Sequence, residues 1–246
     1  GIPTVENVQY DANTNTTTAE VLIEVGTPII LTFHDTRRTP QSALNTGFTN
    51  LKITPPGYPH HTAQVFRSEF VDVIKNHGFQ AIRPMWWSLP MEFVLTPDPI
   101  HAYPWRMEWA ERRLVTDSSQ VGNFKKPHGV AWEHMIALAN ETQTDLWVNV
   151  PLQASTDYVT QLASLIHHQL DANLKIYLEN SNEIWNTGYG QSAYNQAEAL
   201  NLGITSQENV ARRTVEISTI FKQEFGADSI NQRIFPVLCW WVIRAN

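Results

Sequence analysis

The chain is poor in cysteine, in clustered basic residues and in long apolar runs, and each scarcity excludes a class of protein. Cys239, in the segment RIFPVLCWW, is the single cysteine of 246 residues and cannot form an internal disulfide. Its apolar setting reads as a buried, inert thiol. Low cysteine usage suits a reducing compartment, but a chain this long can build a core that makes disulfides dispensable in a secreted enzyme. Formal net charge is −7 and no Lys/Arg run exceeds two residues, so the electrostatic footprint of nucleic-acid binding is missing and nucleic acid is not expected as a partner. No apolar stretch approaches the length of a membrane span, and GIPTVENVQY lacks the basic start and apolar middle of a signal peptide. The protein therefore either stays inside the cell or has already lost a signal. G-x-G-x-x-G, P-loop and G-x-S-x-G patterns are also absent, and no cofactor is expected.

What is present is globular in composition, with 42% hydrophobic and 17% charged residues. Texture changes near residue 60. Residues 18–25, TAEVLIEV, alternate strictly, with Ala19, Val21, Ile23 and Val25 on one face, and predict a half-buried antiparallel strand. GTP at 26–28 punctuates, and IILTF at 29–33 and LKIT before PPGY predict two further strands. Residues 1–60 thus read as a small β module.

Beyond it, helix and strand patterns take turns. Residues 65–77 place Phe66, Phe70, Val73 and Ile74 on one helical face, and Gly78 supplies a stop. FQAIRPMWW predicts a strand, 130–140 a helix with Trp132, Met135, Ile136 and Ala139 inward, and DLWVNVP a second strand. A helix starts near Thr156 or Asp157 and carries Leu162, Leu165 and Ile166, before the strand LKIYLEN. Thr205 and Glu208 form a capping box that opens a helix with Val210, Ile217, Phe221 and Phe225, and RIFPVLCWW is the last strand. This alternation predicts a parallel sheet of βαβ units, whose functional residues collect where strands end. Those ends are Arg83 to Trp87, Asn149 to Pro151, Glu179 to Glu183 and Trp240-Trp241, rich in indole, carboxamide and carboxylate.

Aromatic rings beside carboxylates suit a carbohydrate, whose C–H faces pack on indole while its hydroxyls need planar donors and acceptors. Several of the nine tryptophans must be core. In an extended strand Trp86 and Trp87 face opposite sides, as do Trp240 and Trp241, so one of each pair is expected to line a cleft.

Asn182-Glu183 at a strand end, followed by Trp185, resembles the Asn-Glu signature of the clan A glycoside hydrolases, which are (β/α)8 barrels. The longer phrases YLENSNEIWN, TDLWVNVPLQASTDYVTQLA and HGVAWEHMIALANET are similar to a group of large secreted proteins that often carry carbohydrate-binding modules; this likeness spans about residues 50 to 240. The resemblance implies that residues 61–246 are the N-terminal part of such a barrel, holding its second to fifth strands. It implies Glu183 as general acid/base, Asn182 as partner of the sugar 2-hydroxyl, and Arg83 beside the nucleophile carboxylate. Substrate-binding roles are expected for Trp86, Trp87, Asn149, Glu179, Trp185 and Trp240, with an ion pair inside the barrel as the equal alternative for Arg83 and an outward turn toward a helix for Glu179, and the implied partner is an extracellular polysaccharide or oligosaccharide.

Retaining glycosidases need a second carboxyl group about 5–5.5 Å from the first. In this clan it comes from the seventh strand, which the four strands counted here do not include. Two readings follow. The chain is a fragment of a longer hydrolase, which is favoured because the last strand leaves its crossover unmade, or it is a degenerate relative serving as a non-catalytic carbohydrate-binding or structural surface protein. Other clusters weigh less. Glu92, Glu133 and Asp157 have no motif, and Glu133 reads as a solvated helix residue. His60-His61 and His167-His168 read as surface histidines without a metal, because adjacent rings point apart and no ligand at the right spacing completes them. Asn15 and Asn140 open N-x-S/T sequons. The long segment 88–128, with Phe93, Tyr103, Trp105 and Trp109, is a candidate substrate wall.

Overall fold

The computed structural model describes residues 4–24, 30–54, 57–58, 64–88, 107–117, 119–120 and 129–240, and the chain divides into two compact units, 1–63 and 64–246. His60-His61, Glu92, Phe93, Tyr103, Trp105, Trp241, the GTP punctuation and most of segment 88–128 lie outside the described residues.

In the first unit β1 (Thr4–Asp11) pairs antiparallel with β2 (Thr16–Leu22). The turn between them is organised by Asp11, whose carboxylate accepts from the Asn13 amide at 2.9 Å and the Thr14 hydroxyl at 3.0 Å. These donors, the Asn13 amide foremost, hold its carboxyl below the ordinary value. The expected half-buried strand is a paired strand, but Ala19 and Ile23 are exposed and Val21 only half-buried. Residues 30–33 and 51–54 are irregular and not the strands predicted there. Alternation shows which side of a strand is apolar, but a strand also needs a partner backbone, which neither segment finds among the described residues.

The second unit carries the alternation the sequence announces. Its elements run α1 (Ser68–Asn76), β3 (Ala81–Ile82), α2 (Met85–Ser88), α3 (Trp132–Thr142), β4 (Asp145–Val150), α4 (Thr156–Gln169), β5 (Ile176–Asn180), α5 (Gly190–Leu202), α6 (Ser206–Phe225) and β6 (Ile234–Val237), with 3-10 turns at 109–111 and 227–229. Strands β3-β4-β5-β6 are neighbours in that order and parallel throughout. The described strands do not close into a barrel.

One sheet face is apolar and covered by helices. Leu146, Val148, Val150, Ile176, Leu178 and Ile234 pack with Met135, Ile136 and Ala139 of α3, Leu162 and Ile166 of α4, and Ile217 and Phe221 of α6. Burying each of these side chains except Ala139 stabilises by roughly 1.5–3 kcal/mol. Helix ends follow local chemistry. Ser155 caps α4 by accepting from the Tyr158 amide, and Thr205 with Glu208 forms the capping box of α6. Those Thr205 contacts also hold the Glu208 carboxyl below its usual value. Asn140, in α3, donates to the Gln169 carbonyl at 2.7 Å and accepts from the Asp171 amide at 2.9 Å, tying α3 to the end of α4.

Three departures have physical causes. FQAIRPMWW is a strand only at Ala81–Ile82; Pro84 then begins a helical turn whose Trp87 and Ser88 amides donate back to the Pro84 carbonyl. In α1, Val71 and Ile74 are the buried pair while Phe70 and Val73 are exposed, so the inward face is rotated from that predicted. Helix α5 was not foreseen because its buried face is largely polar: Gln191, Ser192, Asn195 and Glu198 are all buried beside Tyr194. Their partners compensate, Gln191 donating to the Asn182 carbonyl and Asn209 donating to Asn195 and Glu198.

Gly129 is sterically required. A Cβ there would lie 1.7 Å from the Trp87 carbonyl oxygen, which accepts from the Val130 amide at 2.7 Å. Gly129→Ala is expected to destabilise the fold by about 1–3 kcal/mol or more, because backbone must move to admit the methyl. Thermal unfolding of the variant checks this, and an unchanged midpoint would contradict it.

Candidate functional site

Parallel register brings Asn149 opposite Glu179, and Trp147 opposite Tyr177, on the sheet face away from the helices. Tyr177 lies opposite Phe235 in the next strand. The rings of Trp147, Tyr177 and Phe235 form a row with centroids 5.5 Å and 5.6 Å apart. One layer further along the strands the face becomes polar, and Glu179 is its centre.

The Glu179 Oε2 accepts from Arg83 Nη2, Trp147 Nε1 and Asn149 Nδ2, each at 2.7 Å. Arg83 Nη2 also donates to Asn182 Oδ1 at 2.8 Å, and its guanidinium lies 5.1 Å from the Trp147 ring centre. Asn149 further donates to the Ser181 carbonyl at 2.8 Å, so the same amide braces the turn after β5. The carboxylate is 7% exposed against 35% for the Arg83 side chain, so the pair is shielded on one side and open on the other. Asn149 Oδ1 is buried without a hydrogen-bond partner, leaving an acceptor unused on this face.

The turn after β5 carries two non-glycine residues in left-handed backbone, Ser181 with φ 59° and Glu183 with φ 44°. They bracket Asn182, whose carbonyl accepts from Gln191 of α5 at 2.8 Å. Such conformations cost of order 1 kcal/mol or more each and persist where surrounding structure enforces them. Half-buried Glu183 accepts from Asn186 Nδ2 at 3.1 Å through Oε2, and the Asn186 amide donates to the Glu183 carbonyl.

Of the residues singled out in the sequence, Arg83, Asn149, Glu179 and Asn182 converge in one hydrogen-bonded network, and Glu183 is next to it in the chain. Trp185 is half-buried in the turn that follows. Trp86 and Trp87 lie on helical turn α2 and not on the extended strand expected. Trp86 is 58% exposed, while Trp87 packs into the core, its ring stacked 6.2 Å from that of Phe66. Trp240 packs against a small cluster of Leu152, Ile184, Tyr194, Val210 and Cys239. Trp109 meets Tyr158 edge-on at 5.2 Å, and Arg112 covers it at 4.0 Å. Glu133 is not a solvated residue: it pairs at 3.1 Å with Arg112, which follows the 109–111 turn. A cleft lined by Ser155, Arg212, Arg213 and Glu216 contains none of the predicted site residues.

Cys239 is buried, as its apolar setting predicts, whereas the sequence reading does not single out Trp147 or the meeting of Cys239 with Glu179. Trp147 could have been found as the same-face neighbour, two residues earlier, of Asn149. Cys239 has no sequence signal linking it to Glu179, yet the two meet. Burial pushes its thiol from 9.0 up to about 12, with the Glu179 carboxylate adding to the effect and the Ile184 and Glu183 amides opposing it. The sign follows: an unfolded thiol ionises above pH 9.0 and the folded one does not until about 12, so stability is lost as pH rises through that window. Cys239 should therefore resist thiol reagents at pH 8 in the native protein and react once urea unfolds it. Rapid native labelling would contradict the buried thiol.

Among the described residues, His167 and His168 form with Glu224 a group whose ligand atoms all lie within 4.8 Å. Both histidines are at the surface, as expected, and the acid beside them comes from α6 and not from nearby sequence. His134, in α3, has its imidazole held below the ordinary value, chiefly by burial.

The fold so described is an α/β unit with an open parallel sheet, carrying a polar network where its strands end. Compared with family models, curated proteins and solved structures, the chain shows no significant match. No helix among the described residues is long and apolar enough to cross a membrane.

Proposed function

We propose that residues 64–246 build part of a (β/α)8 glycoside hydrolase of the retaining kind, with Glu183 as acid/base, acting on a polysaccharide outside the cell. The observation that carries this reading is the turn after β5: Ser181 and Glu183 in left-handed backbone hold a carboxylate at the C-terminal edge of a parallel strand. Strain at a strand end is where such folds keep their chemistry. Glu183 protonates the departing glycosidic oxygen and, in the second half-reaction, takes a proton from water.

Glu179 is not given the nucleophile's role, because its Oε2 already accepts from three donors. Its part is to hold Arg83 and through it Asn182, whose amide addresses the sugar hydroxyl. The second carboxyl group belongs, in this proposal, to a strand other than β3 to β6. Exposed Trp86 and half-buried Trp185 offer apolar faces to the sugar rings. The substrate is too large to be imported intact, which sets the enzyme outside the cell.

The test is a panel of polysaccharides incubated with the full-length protein, reading reducing ends released and the anomer formed. Retention of configuration supports the proposal. Binding without release by the wild type would instead identify a non-catalytic carbohydrate-binding protein on the same scaffold.

A further inference from the structure

We infer that His167, His168 and Glu224 form a zinc site that clips α4 to α6. His167 and His168 close the last turn of α4 and Glu224 the last turn of α6. The His167 Nδ1 lies 3.2 Å from Glu224 Oε1. A tetrahedral zinc with ligands at about 2.0–2.1 Å separates neighbouring ligand atoms by about 3.3–3.4 Å, so this pair already stands at the spacing of two bound ligands. The third ligand is within reach, since one donor atom from each residue lies within 4.8 Å of the others. Both histidines are exposed, so a small side-chain rearrangement closes the remainder.

His168 is prepared for such a role. Its Nδ1 lies 2.7 Å from the Ser164 carbonyl, so that nitrogen carries the proton and Nε2 keeps its lone pair for a metal. His167 is steadied by Phe225, its ring stacked at 4.5 Å. Two helix C-termini, each the negative end of its dipole, meet at this point and favour a cation. Two imidazoles and one carboxylate are the donor set of zinc and its transition-metal neighbours, whereas calcium and magnesium require more oxygen ligands. Water completes the fourth position.

Position sets the role. The cluster lies where α4 and α6 lead into β5 and β6, at the opposite end of the sheet from Glu183, so the metal acts on stability and not on sugar chemistry. The site stands independently of the proposed hydrolase.

Calorimetric titration of the metal-stripped chain with Zn2+ tests it, alongside His168→Ala and Glu224→Gln; His167 is left in place because its ring packs on Phe225. The expected result is one zinc bound, an unfolding midpoint raised by the metal, and binding weakened about tenfold or more in each variant. Circular dichroism confirms that the variants, altered at partly or fully exposed side chains, remain folded. Zinc affinity equal in wild type and both variants, or calcium bound as tightly as zinc, would overturn the inference.

Discussion

Glu179→Ala is expected to lower the unfolding free energy of residues 64–246 by about 1–3 kcal/mol or more, because the carboxylate is 7% exposed and accepts from donors that lose it, one of them fully buried. Three donors lose their acceptor at once: Arg83 Nη2, Trp147 Nε1 and Asn149 Nδ2. Arg83, with 35% of its side chain exposed, can turn toward water and recover part of the loss. Asn149 cannot, being 1% exposed, and an unsatisfied buried donor costs about 1–3 kcal/mol. Glu179→Gln keeps the shape but turns an amide toward donors, so its loss should fall between wild type and alanine. Urea unfolding checks both as a fall in midpoint at constant slope. Removing the charge should also ease ionisation of Cys239, which Glu179 opposes, so the alanine variant should label faster with thiol reagents. A shift below about 0.5 kcal/mol for alanine, the range of ordinary surface substitutions, would mean that the network does not hold the sheet face together.

The largest functional effect is expected at Glu183. In the full-length protein Glu183→Gln should reduce polysaccharide hydrolysis by roughly 10²–10⁴-fold, the usual contribution of a general acid/base. Stability should change little, since the side chain is half-buried and glutamine keeps an oxygen that can accept from Asn186 Nδ2. Substrates whose leaving group departs without a proton should lose less in the first half-reaction than natural linkages do. That difference separates a proton donor from a residue that merely orders the turn. Undiminished turnover in the variant would remove Glu183 from the mechanism.

Much of the second unit was legible in local sequence. Thr205 and Glu208 announced α6, and Trp132, Met135, Ile136 and Ala139 announced α3, because capping and helical periodicity act over a few residues. Two things misled. Trp86-Trp87 read as strand by its apolar, aromatic texture, whereas Pro84 just before it is a helix-start signal. Helix α5 buries Gln191, Asn195 and Glu198, so a reading that equates inward with apolar passes over it.

The sequence by itself determined the order of α1, α3, α4 and α6 among the strands β3 to β6, the parallel sheet and the polar character of the β5 end. The tertiary structure alone decided which side chains meet. Arg83 reaches Glu179 and Asn182 across separations of 96 and 99 residues, and His167 reaches Glu224 across 57. No short-range pattern encodes those meetings. They follow from the register of parallel strands and the packing of helices on the covered face, which depend on the whole core closing together.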